Sequence, residues 1–393
     1  MRFEFFSSTR ILFGRGQFAR LGELAGQFGR SVLLIGNGGD ADEPGSLAHR
    51  AGELLAAAGL KWTFLRQRGE PQVSDVERGV ELARRSGTDV VVALGGGSAI
   101  DAAKAVAGVL ASGGCPLDYM EVVGEGRKLA RPAVPWIAAP STAGTGAEVT
   151  RNAVIACPEK RFKASIRSEY LAARVALVDP ELGVGVSAGV TARCGMDALC
   201  QLIESYTSNA AGAITDALAI KGIWLAGRSL PRAYSCGTDL EARSDMALAA
   251  LLSGIALANA GLGAVHALAA PLGANFPVPH GVVCAALLPH VMSANVQALQ
   301  KESPQYPVLP RYAEIGRALT GREQPSDLAA IGAGIQFVED LAARLSIPPL
   351  RQFGLTERDI PEMAALARRT SSMRYNPVSL SDDALAEALG KAI

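Results

Sequence analysis

Residues 88–112 read TDVVVALGGGSAIDAAKAVAGVLAS. VVVAL (90–94) is an unbroken apolar run, the pattern of a strand covered on both faces. Gly95, Gly96 and Gly97 follow, and then a stretch with helical spacing up to Ser112. Glycines let the backbone approach a ligand closely, and the helix start offers free N–H groups and the positive end of its dipole. That combination can hold a phosphate. A tight strand–helix turn is the plainer reading of the same residues. Neither GGGS nor GNGG (36–39) matches G-x-G-x-x-G, so the usual dinucleotide fingerprint is absent.

The same alternation extends to either side. SVLLIG (31–36), KWTFLR (61–66), PAVPWIAAPST (132–142) and ARVALVDPEL (173–182) read as strands. ARLGELAGQFG (19–29), SLAHRAGELLAAAG (46–59) and SDVERGVELARRSG (74–87) read as helices, the last with Ser74 as N-cap. Continuous apolar strands alternating with helices predict an α/β domain with a mostly parallel sheet. After DPEL the character changes. Ala/Leu-rich stretches such as AGVTARCGMDALCQLIESYTS dominate and β-branched runs are scarce, which predicts an all-α second half. The expected domains are 1–184 and 185–393, with a loop around 300–310 (QKESPQYPVLP).

At 393 residues the chain is long enough for two or three domains. Hydrophobic residues make up 49%, with a mean hydropathy of +0.20, so large cores can form. Lys+Arg and Asp+Glu are both 38, and a neutral chain has no electrostatic footprint for nucleic acid or an anionic membrane. The six cysteines (Cys115, Cys157, Cys194, Cys200, Cys236, Cys284) contain no CxxC pair, which argues against a disulfide framework or a structural zinc site and suits a reducing cytoplasm. The start MRFEFFSSTRILFG lacks the apolar block of a signal peptide. Apolar runs are short and interrupted, so no membrane span of ~20 residues is expected. The expectation is a soluble cytoplasmic protein.

PSTAGTGAEVT (140–150) is a second turn, with four hydroxyls and Glu148. Such hydroxyls can bond phosphate or ribose, or simply cap a helix. In GMDALCQLIES (195–205), Asp197 and Gln201 lie one helical turn apart on one face. They form a metal half-site, a buried pair or a solvated face. Among the histidines, His49 reads as surface and His290 as structural, while His266 and His280 flank HALAAPLGANFPVPH. Asp197 with the latter two would suit Zn²⁺ or Fe²⁺ with an open position.

GGGSAIDAAKA, PSTAGTGAEVT, Lys163 ahead of VALVDPEL, GMDAL, NAGLGAVH and PLGANFPVPHG occur in one order along essentially the whole chain. In this the chain resembles the iron-containing (group III) alcohol dehydrogenases, within the superfamily of glycerol dehydrogenase and dehydroquinate synthase. The resemblance implies an α/β nucleotide-binding domain, a helical domain, an active site in the cleft between them, and NAD(P)-dependent interconversion of an alcohol and an aldehyde or ketone. By motif, Gly95, Gly96, Gly97, Ser98 and Asp101 would belong to the pyrophosphate turn. Thr142 and Thr145 would face the cofactor, Lys163 the nicotinamide ribose, and Leu182 the adenine side. Asn152 and Leu257 match substrate-lining positions. Asn37 stands where many relatives carry a ribose-binding Asp, with Asp40 three residues on, so NADP is admitted beside NAD, with a lean to NAD. FEFFSSTRILFG (3–14) resembles a hairpin used in dimer contacts, which implies a homodimer.

The resemblance also implies a metal set of one Asp and three His. Asp197, His266 and His280 match three of these, Gln201 replaces the fourth as a weak ligand, and Ala270 replaces a further pocket His. Three readings follow. The metal, zinc or iron, sits on Asp197, His266 and His280 as a Lewis acid, with Gln201 bonding substrate or bound water. Alternatively, His266 or His280 is the general acid of a metal-independent reductase of the maleylacetate reductase type. In the third, the fold is kept for a non-redox or binding role. Arg151 and Arg167 are candidates to meet an anionic substrate.

Overall fold

Unbroken apolar runs become the central sheet. A computed structural model describes residues 3–37, 39–160, 162–302 and 308–393. The chain divides into two compact units: Ser7–Thr142 with Gly146–Val184, and the segment up to Phe6 with Ala143–Thr145 and Gly185–Ile393.

The first unit carries strands β1 (Arg10–Phe13), β2 (Ser31–Gly36), β3 (Lys61–Arg66), β4 (Val90–Gly95), β5 (Trp136–Pro140), β6 (Asn152–Cys157), β7 (Phe162–Arg167) and β8 (Val175–Val178). Its helices are α1 (Leu21–Gly26), α2 (Leu47–Ala57), α3 (Val73–Arg85), α4 (Gly97–Ser112) and the short α5 (Pro116–Tyr119). Six strands pair in parallel in the order β1-β8-β5-β4-β2-β3. Every residue of β4, β5 and β8 is buried, as a sheet covered on both faces requires. Core residues divide between the two faces: Leu33, Ile35, Val91 and Ala93 pack on one side, Leu34, Val90, Val92 and Leu94 on the other.

Three local expectations are corrected. Helix α3 begins one residue earlier than expected, and its cap is Gln72, locked by the Asp75 carboxylate accepting the Gln72 N–H at 3.0 Å, so Ser74 lies inside the helix. Phe3–Gly14 is not a hairpin: it holds one strand, β1, paired in parallel with β8. An antiparallel pair, β6–β7, was not anticipated.

The second unit is helical among the described residues: α6 (Ala188–Thr207), α7 (Ala213–Ser235), α8 (Leu240–Ala260), α9 (Ala264–Asn275), α10 (His280–Glu302), α11 (Leu309–Thr320), α12 (Asp327–Arg344), α13 (Ile360–Arg368) and α14 (Asp382–Lys391). Ser187 caps α6 by accepting the Val190 N–H at 3.4 Å, and from Gly195 to Thr207 that helix is buried throughout. Gly281 allows α10 to lie close to α6, since a Cβ there would stand 2.1 Å from the Arg193 carbonyl oxygen. Of the expected loop at 300–310, residues 303–307 lie outside the described set, while 300–302 complete α10.

The expectation that every apolar run is too short for a membrane span fails at one helix, although no span follows from it. Helix α10 is long and apolar enough to cross a bilayer by length and composition. It packs as a core helix instead, with 67% of its most apolar window buried within the fold.

Candidate functional site

Two places collect the predicted residues, one in each unit. In the α/β unit, β4 runs into α4 through the glycines. Gly95 sits at φ +151°, and a Cβ there would come within 2.1 Å of Asn37 Oδ1, so the turn tolerates no side chain. Asn37 follows β2 directly and its Oδ1 accepts the Gly96 N–H at 3.3 Å, fixing the turn against the neighbouring strand end. Gly97 and Ser98 begin α4, whose first N–H groups are free of helical partners in any helix. The Thr142 hydroxyl lies 3.0 Å from where a Gly96 Cβ would be.

The other predicted cofactor residues, and the predicted substrate residues Asn152 and Leu257, are placed as follows. Asp40 pairs with Arg66 and Lys163 with Glu70. Asp101 accepts the Val154 N–H at 3.2 Å and approaches Lys104, while burial raises its pKa against the pull of that lysine. Leu182 is a core residue, 1% exposed, packed with Leu177. Asn152 gives its backbone carbonyl to Lys104 at 2.7 Å. Thr145 and Leu257 belong to the helical unit, Leu257 half-buried on α8.

In the helical unit, α6, α9 and α10 bring Asp197, His266 and His280 together. Asp197 Oδ1 lies 3.4 Å from His266 Nε2 and 3.5 Å from His280 Nε2. The carboxylate is buried, yet Oδ1 makes no hydrogen bond. His266 donates its Nδ1–H to Glu204 at 2.6 Å, and the same carboxylate accepts the Val265 N–H at 2.7 Å. This fixes the ring and turns Nε2 toward Asp197 and His280. The two rings sit 5.3 Å apart, and the His280 side chain is 41% exposed.

Gln201 lies on the same helix, one turn beyond Asp197. Its Oε1 accepts the Ser253 hydroxyl at 3.0 Å, and that hydroxyl also lies close to the Gly144 and Ala250 carbonyls. Ala270 is exposed on α9. A residue that sequence reasoning passed over stands in the cluster: Cys284 Sγ is 3.5 Å from His280 Nε2 and 3.8 Å from His266 Nε2. Asp197, His266, His280 and Cys284 each offer one donor atom, all within 4.8 Å of one another. Cys200, on α6, lies 3.9 Å from His266 Nδ1.

Charge within this group is coupled. Burial opposes a thiolate at Cys284, but a hydrogen bond from Cys200 and the two imidazoles outweigh it and hold the Cys284 thiol well below its usual range. Burial and the same hydrogen bond push Cys200 up, so it is the protonated partner. Cys284 raises His280 to about 9, and at His266 burial is overcome by Cys284 and Glu204. The missed signal was positional. Cys284 follows His280 by four residues and Cys200 follows Asp197 by three, both helical-face spacings that a search for CxxC pairs overlooks.

Residues 8–180 match the model of the iron-containing alcohol dehydrogenases, and residues 191–393 that of the C-terminal part of the Fe-containing alcohol dehydrogenase family. The chain belongs to the iron-containing alcohol dehydrogenase family. It is 36% identical to alcohol dehydrogenase 4 of Saccharomyces cerevisiae over 349 residues, covering 88% of this chain and 87% of that one. It is 32% identical to an NAD-dependent methanol dehydrogenase of Bacillus methanolicus over 392 residues, 99% of each chain. A crystal structure of 1,3-propanediol oxidoreductase superposes with a TM-score of 0.92 at 32% identity over the full length of both. As an iron-containing alcohol dehydrogenase by family, the protein is an oxidoreductase, and its fold is the dehydroquinate synthase-like one expected from the motifs.

Proposed function

We propose that the protein interconverts an alcohol and its aldehyde or ketone with NAD(P) as hydride partner, using a divalent cation held by Asp197, His266 and His280. The observation that carries this reading is Asp197 Oδ1, a buried carboxylate oxygen without a hydrogen bond, aimed at two imidazole nitrogens 3.4 and 3.5 Å away. A buried carboxylate oxygen without a hydrogen bond is costly in a site with no ligand purpose, and the donor types suit zinc or iron. When bound, the cation polarises the alcohol or carbonyl oxygen and the nicotinamide exchanges the hydride.

The chain's own part is positioning. Glu204 sets the tautomer of His266 so that Nε2 is the donor. Gly96, Gly97 and Ser98 present backbone to a pyrophosphate, with Asn37 holding the Gly96 amide in place. Thr142, Thr145 and Lys163 are assigned to the cofactor, and Asn152 and Leu257 to the substrate, by motif. Asp40 places a carboxylate after β2 that disfavours a 2′-phosphate, and its partner Arg66 offsets this in part, which supports NAD without excluding NADP.

A second reading has one observation in its favour. His280, raised to about 9 by Cys284, is an imidazolium at neutral pH that can donate a proton in a metal-independent reduction. The redox assignment is tested by following reduced nicotinamide absorbance with NADH and NADPH against a panel of aldehydes and ketones, and in reverse with alcohols. Turnover with at least one pair is expected. No turnover with either cofactor on any substrate would overturn it.

A further inference from the structure

We propose that Cys284 is the fourth metal-ligating side chain of this site, as a thiolate, and that the Asp197–His266–His280–Cys284 set takes zinc in preference to iron. This rests on the metal reading above and goes beyond it in naming a ligand and a metal. Gln201, the fourth candidate from the sequence, is a neutral donor whose Oε1 is occupied by the Ser253 hydroxyl. Cys284 lies one turn after His280 on α10, buried, with its sulfur turned to both imidazole Nε2 atoms.

The separations fit a common centre. Metal bonds of ~2.0–2.2 Å to oxygen or nitrogen and ~2.3 Å to sulfur, at tetrahedral angles, place O and N donors roughly 3.3 Å apart and N and S donors roughly 3.6 Å apart. The observed values are 3.4 and 3.5 Å from Asp197 Oδ1 to the imidazoles, and 3.5 and 3.8 Å from Cys284 Sγ. Asp197 Oδ1, in a residue 3% exposed and without a hydrogen bond, points into the same space.

Cys200 is the competing thiol, grouped with Glu204 and the other face of His266. That face is committed, since Nδ1 donates to Glu204 at 2.6 Å. One carboxylate and one thiolate balance the charge of a divalent cation in a buried site. Ligation releases to solvent the proton that the Cys284–imidazole pair holds and needs no oxidant or reductant. Thiolate with imidazole is a donor set that favours a borderline-soft ion such as zinc, whereas a site of oxygen and imidazole donors alone does not discriminate in this way. The cluster opens to solvent at the half-exposed His280, which leaves an edge for a further ligand.

The test uses the full chain, stripped by a chelator and titrated with cobalt(II) alone. One equivalent should bind and produce a near-ultraviolet thiolate-to-cobalt charge-transfer band. Cys200→Ser should keep the band. Cys284→Ser should lose it and bind zinc at least ~10–100-fold more weakly, the range seen when even a supporting partner of a ligand is removed. Anaerobic competition between equal zinc and iron(II) should load zinc. Stoichiometric cobalt without the band in the unaltered protein overturns the Cys284 assignment and leaves the three-ligand reading standing, even if a variant fails to fold. Iron loading overturns the preference. No cobalt binding at all overturns both readings.

Discussion

Each unit buries a cluster of charged side chains, and the two are finished differently. In the α/β unit, Lys104 is fully buried on α4 and donates to the Ala147 carbonyl at 2.9 Å, the Thr150 hydroxyl at 2.8 Å and the Asn152 carbonyl at 2.7 Å. All three ammonium hydrogens are used, and Asp101 and Glu148 lie close enough to balance its charge. In the helical unit, Asp197 keeps an oxygen without a hydrogen bond beside two imidazoles and a thiol. A closed polar network ties backbone segments together, whereas an unfinished one is a place for a ligand. The first cluster is architecture; the second is the place the proposed chemistry needs.

The comparison breaks if the two clusters respond alike to mutation. Lys104→Met should cost about 3–5 kcal/mol in denaturant unfolding, because it strands buried acceptors and carboxylates. Metal content per folded chain should stay unchanged. Asp197→Asn should do the opposite. It should lower kcat/KM by roughly 10³-fold, about 4 kcal/mol of transition-state stabilisation. In the chelated protein it should leave stability unchanged or raise it by about 1 kcal/mol, as relief of a buried carboxylate oxygen without a hydrogen bond implies. Equal loss of stability in both chelated variants would remove the distinction.

Glu148 sharpens it further through pH. Burial raises its pKa from 4.5 to about 7, against the pull of its own backbone hydrogen bond and of Lys104. The folded state therefore holds a proton through that window that the unfolded state has released. Stability is fullest below about pH 4.5 and declines as the pH rises through about 7. The decline should amount to roughly 3 kcal/mol at about 1.36 kcal/mol per pKa unit, and Glu148→Gln should flatten it in a series of urea melts. The smallest effect concerns the cofactor. Asp40→Ala should raise the NADPH-to-NADH ratio of kcat/KM several-fold, about 1 kcal/mol for a largely exposed charge. An unchanged ratio would move the discrimination away from the β2 end.

What the sequence disclosed follows from how each site is built. The glycine turn is made by backbone, and residues 95–98 are contiguous, so strand, turn and helix start could be read in one line. β1 misled because a short apolar strand has no local mark of its partner; it pairs with β8, far along the chain. The donor cluster collects side chains from α6, α9 and α10. The donor types of Asp197, His266 and His280 suggested a set, and the motif resemblance made it a definite one. Cys284 was hidden because its signal is a turn of helix shared with His280, and the meaning of that turn depends on where α10 packs. Lys104 was hidden for a similar reason, since a lysine in an Ala/Val helix reads as a solvated position until its acceptors are known. Gln201 looked like a weakened ligand, yet its carbonyl is occupied by Ser253.

The central claim is that the Asp197–His266–His280 cluster is a metal-dependent redox centre. The most direct measurement follows reduced nicotinamide absorbance with an active alcohol or aldehyde in gently purified, chelated and zinc-reloaded protein, with metal content determined on each sample. Activity should track bound metal, vanish on chelation and return with one equivalent of zinc. Full activity in protein shown to hold no metal would contradict the account and transfer the reaction to His280 as a general acid.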